Sequence, residues 1–116
     1  MTKYFSIFLL LFSSCYYDNQ EELYQYLVDN CDTTSITFSN SIMPIIIDEC
    51  SSCHLSGNTL GEVSLNSYSE VMIYVDNGEL ESDINGTANI MPKAGMMNNC
   101  NIMIIEKWIN DGAKNN

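Results

Sequence analysis

The chain has 116 residues, which is room for one small domain. It contains 15 acidic residues, 4 lysines and no arginine, and the formal net charge of -11 excludes nucleic acid as an expected partner. Hydrophobic residues make up 46% of the chain and charged residues 16%, which is too apolar for a disordered acidic tail and typical of a packed core.

The first 14 residues have the organisation of an export signal. Lys3 is followed by an apolar run over residues 4–12 and by two serines before Cys15. The run is far shorter than the ~20 residues that a membrane-spanning helix needs. Small residues directly before a cysteine resemble the lipobox of bacterial lipoproteins, in which that cysteine is acylated and becomes the first residue of the mature chain. We therefore expect an exported protein, periplasmic or at the cell surface, anchored to a membrane by a lipid on Cys15.

The mature protein is expected to be a small acidic domain on a lipid tether. Removal of the signal peptide, residues 1–14, leaves 3 lysines against 15 acidic residues, a formal charge of -12. Residues 15–37 mix polar and aromatic side chains without a sustained period, which predicts a linker that becomes ordered near Cys31. Residues 38–116 form the predicted domain.

The first predicted helix begins near Asn40 or Ser41. Polar side chains there can cap it, and Pro44 is compatible with a helix only in the first turn. The apolar positions that follow have helical spacing, which places two thiols at the carboxyl end of one buried stripe. The stripe consists of Ile42, Ile45, Ile46, Cys50 and Cys53.

The second predicted helix is short, about ten residues, between a start signal and a stop signal. Ser67 and Glu70 have the spacing of a capping box at its start. Gly78 lies where a left-handed residue ends a helix.

The third predicted helix begins near Asn98 or Asn99 and ends before Gly112. Its broad apolar face carries Ile102, Ile105, Trp108 and Ile109. Residues 79–97, before it, are rich in glycine and asparagine and have no recognisable period. Since no long β-alternation is present, the sequence predicts an all-α domain of three or more short helices and long loops.

Residues 50–54 carry the clearest chemical motif. Cys50, Cys53 and His54 form the pattern C-x-x-C-H, which is typical of c-type haem attachment. Thiols one helical turn apart can reach the two vinyl groups of one porphyrin, and the adjacent histidine is then placed against the iron. The motif follows an export signal and contains the only histidine of the chain.

Other interpretations of these residues stay open at this point. A structural zinc site could use Cys50, Cys53 and His54 with Cys31 or Cys100 as the fourth ligand. A thioredoxin-like C-x-x-C would need a βαβ context that this sequence lacks. A structural disulfide between Cys50 and Cys53 is a further alternative.

The sixth iron ligand would have to come from a methionine, because no second histidine exists. Methionines on predicted helices are more often core residues than ligands. These are Met43, Met72 and Met103. The irregular stretch offers Met91, Met96 and Met97, and Pro92 stiffens the chain directly after the first of them. We favour Met91 over Met96 and Met97, and the remaining possibility is an open or water-ligated iron.

The order and spacing of these motifs resemble those of small exported monohaem cytochromes c of bacteria, over residues 38–116. The resemblance rests on residues 38–46 leading to the motif at 50–54, then Met91 to Gly95, then Cys100, then Trp108 to Ala113. The ligand loop of the family usually has two glycines after Met-Pro-x, where this chain has Ala94 and Gly95.

The resemblance implies a class I cytochrome c fold, with terminal helices that cross near the edge of a covalently attached haem and a methionine loop that closes its other side. It also implies the roles of four residues. Cys50 and Cys53 would form the thioethers, His54 would be the proximal ligand, and Met91 the distal ligand of haem c.

Cys31 and Cys100 are then left over in an oxidising compartment, and a disulfide between them is the economical interpretation. It would attach the linker to the last helix.

An iron that is coordinated by both His54 and Met91 has no open position for a substrate. We therefore expect a one-electron carrier and not an enzyme. It could accept electrons from an exported oxidoreductase. The acidic surface is expected to steer it to a redox partner with a basic docking patch.

Two other classes of function are compatible with these residues. If Met91 is not bound, an open iron could bind a gas or peroxide, as in a sensor or a weak peroxidase. If no haem is attached, the domain would be a zinc-held or disulfide-held interaction module at the cell surface.

Overall fold

The computed structural model describes residues 31–55 and 62–116, and this part of the chain is all-α, as predicted. Neither range contains a strand. A π-helical turn at Phe38–Ile42 continues into α1, Met43–His54, and the other helices are α2, Tyr68–Asp76, α3, Glu79–Ile84, and α4, Asn99–Asn110. The predicted signal peptide, Cys15 and most of the predicted linker lie outside the described residues.

Within the described ranges, no helix is long and apolar enough to cross a membrane.

The first helix begins at Phe38, two or three residues before the predicted start. Thr37 caps it, with its hydroxyl accepting a hydrogen bond from the Asn40 amide at 3.1 Å. The amide of Ile42 donates to the Thr37 carbonyl five residues back, so this turn is wider than an α-helical turn. Pro44 follows directly, and in a regular helix its ring would clash with the carbonyl four residues earlier. The wide turn therefore lets the helix start upstream of the proline.

Helix α2 has the predicted start and end. The Ser67 hydroxyl caps it by accepting from the Glu70 amide, and the Glu70 carboxylate accepts from the Asn66 amide at 2.7 Å. Gly78 follows with a φ of 78°, the left-handed conformation that the sequence predicts there.

Helix α3 lies in the stretch for which the sequence analysis predicted no element. Gly78 precedes its first residue, and only Ile84 is buried, with Leu80 packed partly against the core. A six-residue helix has too few positions for an apolar period to be recognised, which is why the pattern missed it.

Helix α4 begins after Asn98, whose side chain accepts a hydrogen bond from the Asn101 amide at 2.9 Å. Ile102, Ile105 and Trp108 are buried on one face, as the spacing predicts.

Three aromatic rings connect the first, second and last helices. Phe38 lies 5.1 Å from Tyr68 and 5.7 Å from Trp108 between ring centroids. The Tyr68 hydroxyl donates to the Ala113 carbonyl at 2.8 Å, and the Trp108 indole donates to the Lys114 carbonyl at 3.0 Å. This cluster fixes the contact between the amino-terminal turn and α4 and holds the carboxyl-terminal residues against it.

Cys31 and Cys100 form a disulfide, with their Cα atoms 5.5 Å apart. The predicted pairing is therefore confirmed. The bond attaches the carboxyl end of the predicted linker to the first turn of α4.

Candidate haem-binding site

Cys50 and Cys53 lie in the last turns of α1, one helical turn apart. Both thiols are free, and they are the only free thiols in the described ranges. Ile42, Ile45 and Ile46 are buried as predicted, but the two cysteines are only half-buried, so the predicted stripe becomes partly exposed at its carboxyl end. Both thiols are thus partly exposed, and Cys50 also packs against the core.

Burial raises the pKa of the Cys50 thiol to about 11, with smaller contributions from the charges of Glu49 and Cys53. Burial has this effect because a low-dielectric environment disfavours the thiolate. Cys50 is therefore a protonated thiol at neutral pH.

His54 is the last residue of α1, and the returning chain contacts it twice. Its Nδ1 lies 3.3 Å from the Val63 carbonyl oxygen, and its own carbonyl accepts from the Leu65 amide at 3.0 Å. Since a carbonyl oxygen can only accept, this contact is a hydrogen bond when Nδ1 carries the proton, and in that neutral tautomer Nε2 has the free lone pair. A metal-binding histidine is oriented in the same way in most metal sites.

Met91 lies in the loop of residues 86–97, here named the Met91 loop. The loop is attached to the end of α3, because the amides of Asn89 and Met91 donate to the side chain and to the carbonyl of Asp83, at 3.2 and 3.1 Å. The Met91 side chain is half-buried, and the Met91–Pro92 peptide bond is cis.

The two alternative loop methionines have different surroundings. Met97 is 5% exposed and belongs to the hydrophobic core, so it could reach an iron only by leaving that core. Met96 is 60% exposed. Met91 is therefore the loop methionine that is half-buried and is not part of the core.

The loop accommodates alanine where the resembling family usually has its first glycine. Gly95 donates its amide to the Pro92 carbonyl at 3.1 Å and has a φ of 143°, which favours glycine. Ala94 does not have a positive φ. The turn thus needs a glycine only at the second of the two positions.

The structure removes two donors from the zinc alternative, because Cys31 and Cys100 are bonded to each other. In residues 31–55 and 62–116, no three His, Cys, Asp or Glu side chains come close enough together to hold a metal ion.

Sequence reasoning missed two groups that position the candidate ligands. The Val63 carbonyl orients His54, and Asp83 anchors the chain at Met91. Neither has a sequence signal, because a backbone carbonyl is common to all residues and an aspartate at the end of a short helix is ordinary.

Comparisons of the chain with protein-family models, with curated proteins and with solved structures found no match.

Proposed function

We propose that this protein carries single electrons by means of a c-type haem attached at Cys50 and Cys53, with His54 and Met91 as axial ligands. One observation carries the proposal. Two free thiols lie one helical turn apart, directly before a histidine whose Nδ1 faces a carbonyl oxygen. The residues present fit the cofactor in number, chemical type and order.

The thiols fit the attachment chemistry. Each S–H would add across one vinyl group, so that a carbon–sulfur bond forms, the C=C becomes a single bond, and the thiol hydrogen passes to the other vinyl carbon. No oxidant is consumed. Cys50 is protonated at neutral pH and half-buried against the core, which suits a residue that is joined to an apolar macrocycle.

The two proposed iron ligands, His54 and Met91, indicate the type of reaction. His54 would offer Nε2 because Nδ1 is engaged by Val63, and Met91 would offer a thioether from a loop that Asp83 holds. Haem supplies an iron that exchanges one electron, and a methionine ligand favours its reduced state. If His54 and Met91 both bind the iron, no position would be left for a substrate, which supports a carrier and not an enzyme.

The helix arrangement supports the class I cytochrome c fold as the finer description of the all-α domain. The amino-terminal helical turn and α4 pack together through Phe38 and Trp108. Ile45 and Ile46 of α1 share the buried core with α4.

Export and lipid anchoring at Cys15 complete the proposal. The Cys31–Cys100 disulfide supports an oxidising compartment, since such bonds are rare in reducing ones. The partner in this proposal is a redox protein with a basic docking patch, because the chain has a net charge of -11. A radiolabelled fatty acid tests the anchor, and we expect it to be incorporated into the full chain and lost in Cys15→Ser.

Absorption spectra of the protein expressed with a haem-attachment system test the site. We expect a sharp α-band on reduction and a weak far-red band on oxidation that Met91→Ala removes. Met96→Ala is the matched control, because it removes an exposed methionine from the same loop and should leave both bands in place.

Two other outcomes would each indicate one of the alternative classes of function. Carbon monoxide binding by the unaltered reduced protein would indicate an open iron and a sensor or peroxidase. A chain that never takes up haem would overturn the proposal, and zinc analysis of that chain would then test the interaction module.

A further inference from the structure

Asn85, Gly86 and Thr87 have the sequence pattern of an acceptor site for N-linked glycosylation. The pattern needs a serine or threonine two positions after the asparagine and any residue except proline between them. Asn85 is the only asparagine of the chain that meets this requirement. Bacterial oligosaccharyltransferases also require an acidic residue two positions before the asparagine, and Asp83 is at that position. In an exported chain the pattern therefore marks a candidate modification site.

The acceptor segment lies on the surface of the protein. Residues 85–90 are all exposed, from the residue that follows α3 into the Met91 loop. Asn85 and Thr87 also line an open groove, together with Gly78, Glu81 and Ser82. An enzyme therefore has access to the Asn85 amide from solvent, and an attached sugar would have space outside the packed core.

The hydrogen bonds that hold the segment are exposed to water. The Asn85 amide nitrogen donates to the Glu81 carbonyl at 3.0 Å and to the Glu106 carboxylate at 2.8 Å. The Thr87 hydroxyl donates to the Ser82 carbonyl at 3.0 Å. Such bonds contribute little to stability, because water replaces them when they break. The segment can therefore open locally at the end of a six-residue helix without unfolding of the domain.

We propose that Asn85 is an acceptor for N-linked glycosylation by an oligosaccharyltransferase of the compartment to which the chain is exported. The second substrate is an oligosaccharide joined through a diphosphate to a polyprenol lipid. The inference rests on the export part of the proposed function and is independent of the haem.

The transfer is a substitution at the first carbon of the sugar. The Nδ2 atom of Asn85 forms a bond to this carbon, and the bond from the carbon to the diphosphate oxygen breaks. The leaving diphosphate takes the electron pair of that bond, and Nδ2 gives one proton to a base of the enzyme, so that no oxidant or reductant is consumed. Since Nδ2 keeps a single hydrogen, it can no longer donate to both Glu81 and Glu106.

The two flanking groups that the enzyme recognises are engaged in the folded protein. The Asp83 carboxylate accepts a hydrogen bond from the Asn89 amide at 3.2 Å, and the Thr87 hydroxyl donates to Ser82. Both have to be released before the enzyme can bind the hydroxyl and pair a cationic side chain with the carboxylate. Opening of this turn is therefore expected to limit the rate of modification.

Expression of the full chain in a bacterial host that carries an oligosaccharyltransferase and its lipid-linked heptasaccharide tests the site. A second acceptor, Asp-Gln-Asn-Ala-Thr, is added after Asn116 as a control for export and for enzyme activity. We expect two glycans per chain by intact mass spectrometry, and a single glycan in Asn85→Gln and in Thr87→Val. Thr87→Ser should keep both glycans, because serine retains the hydroxyl.

Asp83→Asn separates recognition by the enzyme from the fold of the turn. An asparagine there can still accept the hydrogen bond from the Asn89 amide, but it has no charge to pair with the enzyme. We expect modification of Asn85 to fall about tenfold in this variant, as for loss of a charge-assisted contact.

Glu106→Ala tests whether opening of the turn limits the reaction. It removes one of the two acceptors of the Asn85 amide, so the initial rate of modification should rise about threefold. Lys107→Ala is the matched control, because Lys107 is the next residue of α4 and its ammonium group pairs with Asp111. The rate in this control should equal that of the unaltered chain.

A glycan on the added acceptor alone would overturn the inference and leave the proposed function intact. A glycan that persists at Asn85 in Thr87→Val would also overturn it, because the attachment would then not depend on the acceptor pattern. If neither acceptor is modified while another exported protein is modified in the same cells, the chain is not exported. That result would overturn the export part of the proposed function, and the inference with it.

Discussion

Removal of the Cys31–Cys100 disulfide is expected to destabilise the folded protein strongly. The two cysteines are 69 positions apart, so the bond closes a loop of about 70 residues in the unfolded chain. The chain-entropy relation gives about 4.4 kcal/mol of stabilisation at 25 °C for a loop of this length, and measured values are often smaller. We therefore expect the double variant Cys31→Ser/Cys100→Ser to lose about 2–4 kcal/mol of unfolding free energy, and about 10–25 °C in Tm.

Urea unfolding of the haem-loaded protein, followed by circular dichroism, measures this loss. The m-value should rise in the double variant, because an unfolded chain without the cross-link exposes more surface. The unaltered protein under reductant is the control, and it should have the same unfolding free energy as the double variant under the same reductant, since the iron then has one oxidation state in both. A loss below about 1 kcal/mol in the variant without reductant would refute the entropic argument. A lower unfolding free energy of the variant when both proteins are under reductant would attribute the effect to the serine side chains.

Three further predictions concern the core, a cap and a thiol. Ile46→Ala should lower the unfolding free energy by about 2–5 kcal/mol, because Ile46 is 2% exposed. Ile47→Ala on the same helix should lower it by less than about 1 kcal/mol, because Ile47 is 48% exposed. Urea unfolding compares the two variants. Ser67→Ala should cost about 1 kcal/mol through loss of the α2 cap, and no change in unfolding free energy would contradict that role. The pKa of Cys50 is raised to about 11 from an ordinary 9.0. As the pH rises from 9 towards 11, the thiol therefore loses its proton in the unfolded chain before it does in the folded chain, and the haem-free fold should lose stability over this range. The rate of Cys50 alkylation, measured by mass spectrometry in the haem-free chain, should therefore be lower without urea than with it at pH 9.

The helix boundaries show how far local signals reach. The side chains of Ser67 and Asn98 cap the helices that the sequence predicts there, because a cap acts within three residues. The start of the first helix was predicted too late, because the wide turn before Pro44 depends on backbone hydrogen bonds that no residue type specifies. Helix α3 was missed because its six residues carry no readable period.

Some features of the candidate site could likewise be predicted from the sequence, and others needed the structure. The motif Cys50, Cys53, His54 could be named from the sequence because its chemistry is contained in five consecutive residues. Met91 could be favoured from its neighbouring proline, but the core position of Met97 became visible only in the packed structure. The orientation of the histidine ring also needed the structure, since it depends on a carbonyl nine residues away.

The sequence by itself determined the all-α class and the order of the chemical motifs, because apolar period, caps and residue type are local or compositional properties. The pairing of Cys31 with Cys100 was an expectation that depended on the roles given to the other three cysteines, and the structure shows it. Only the tertiary structure decided what holds those motifs in place. The Val63 carbonyl beside His54, the Asp83 contacts of the Met91 loop and the exposure of Ile90 depend on how separate segments pack. Such contacts are made by backbone atoms and surfaces, which every residue has, so they leave no distinctive mark in a sequence.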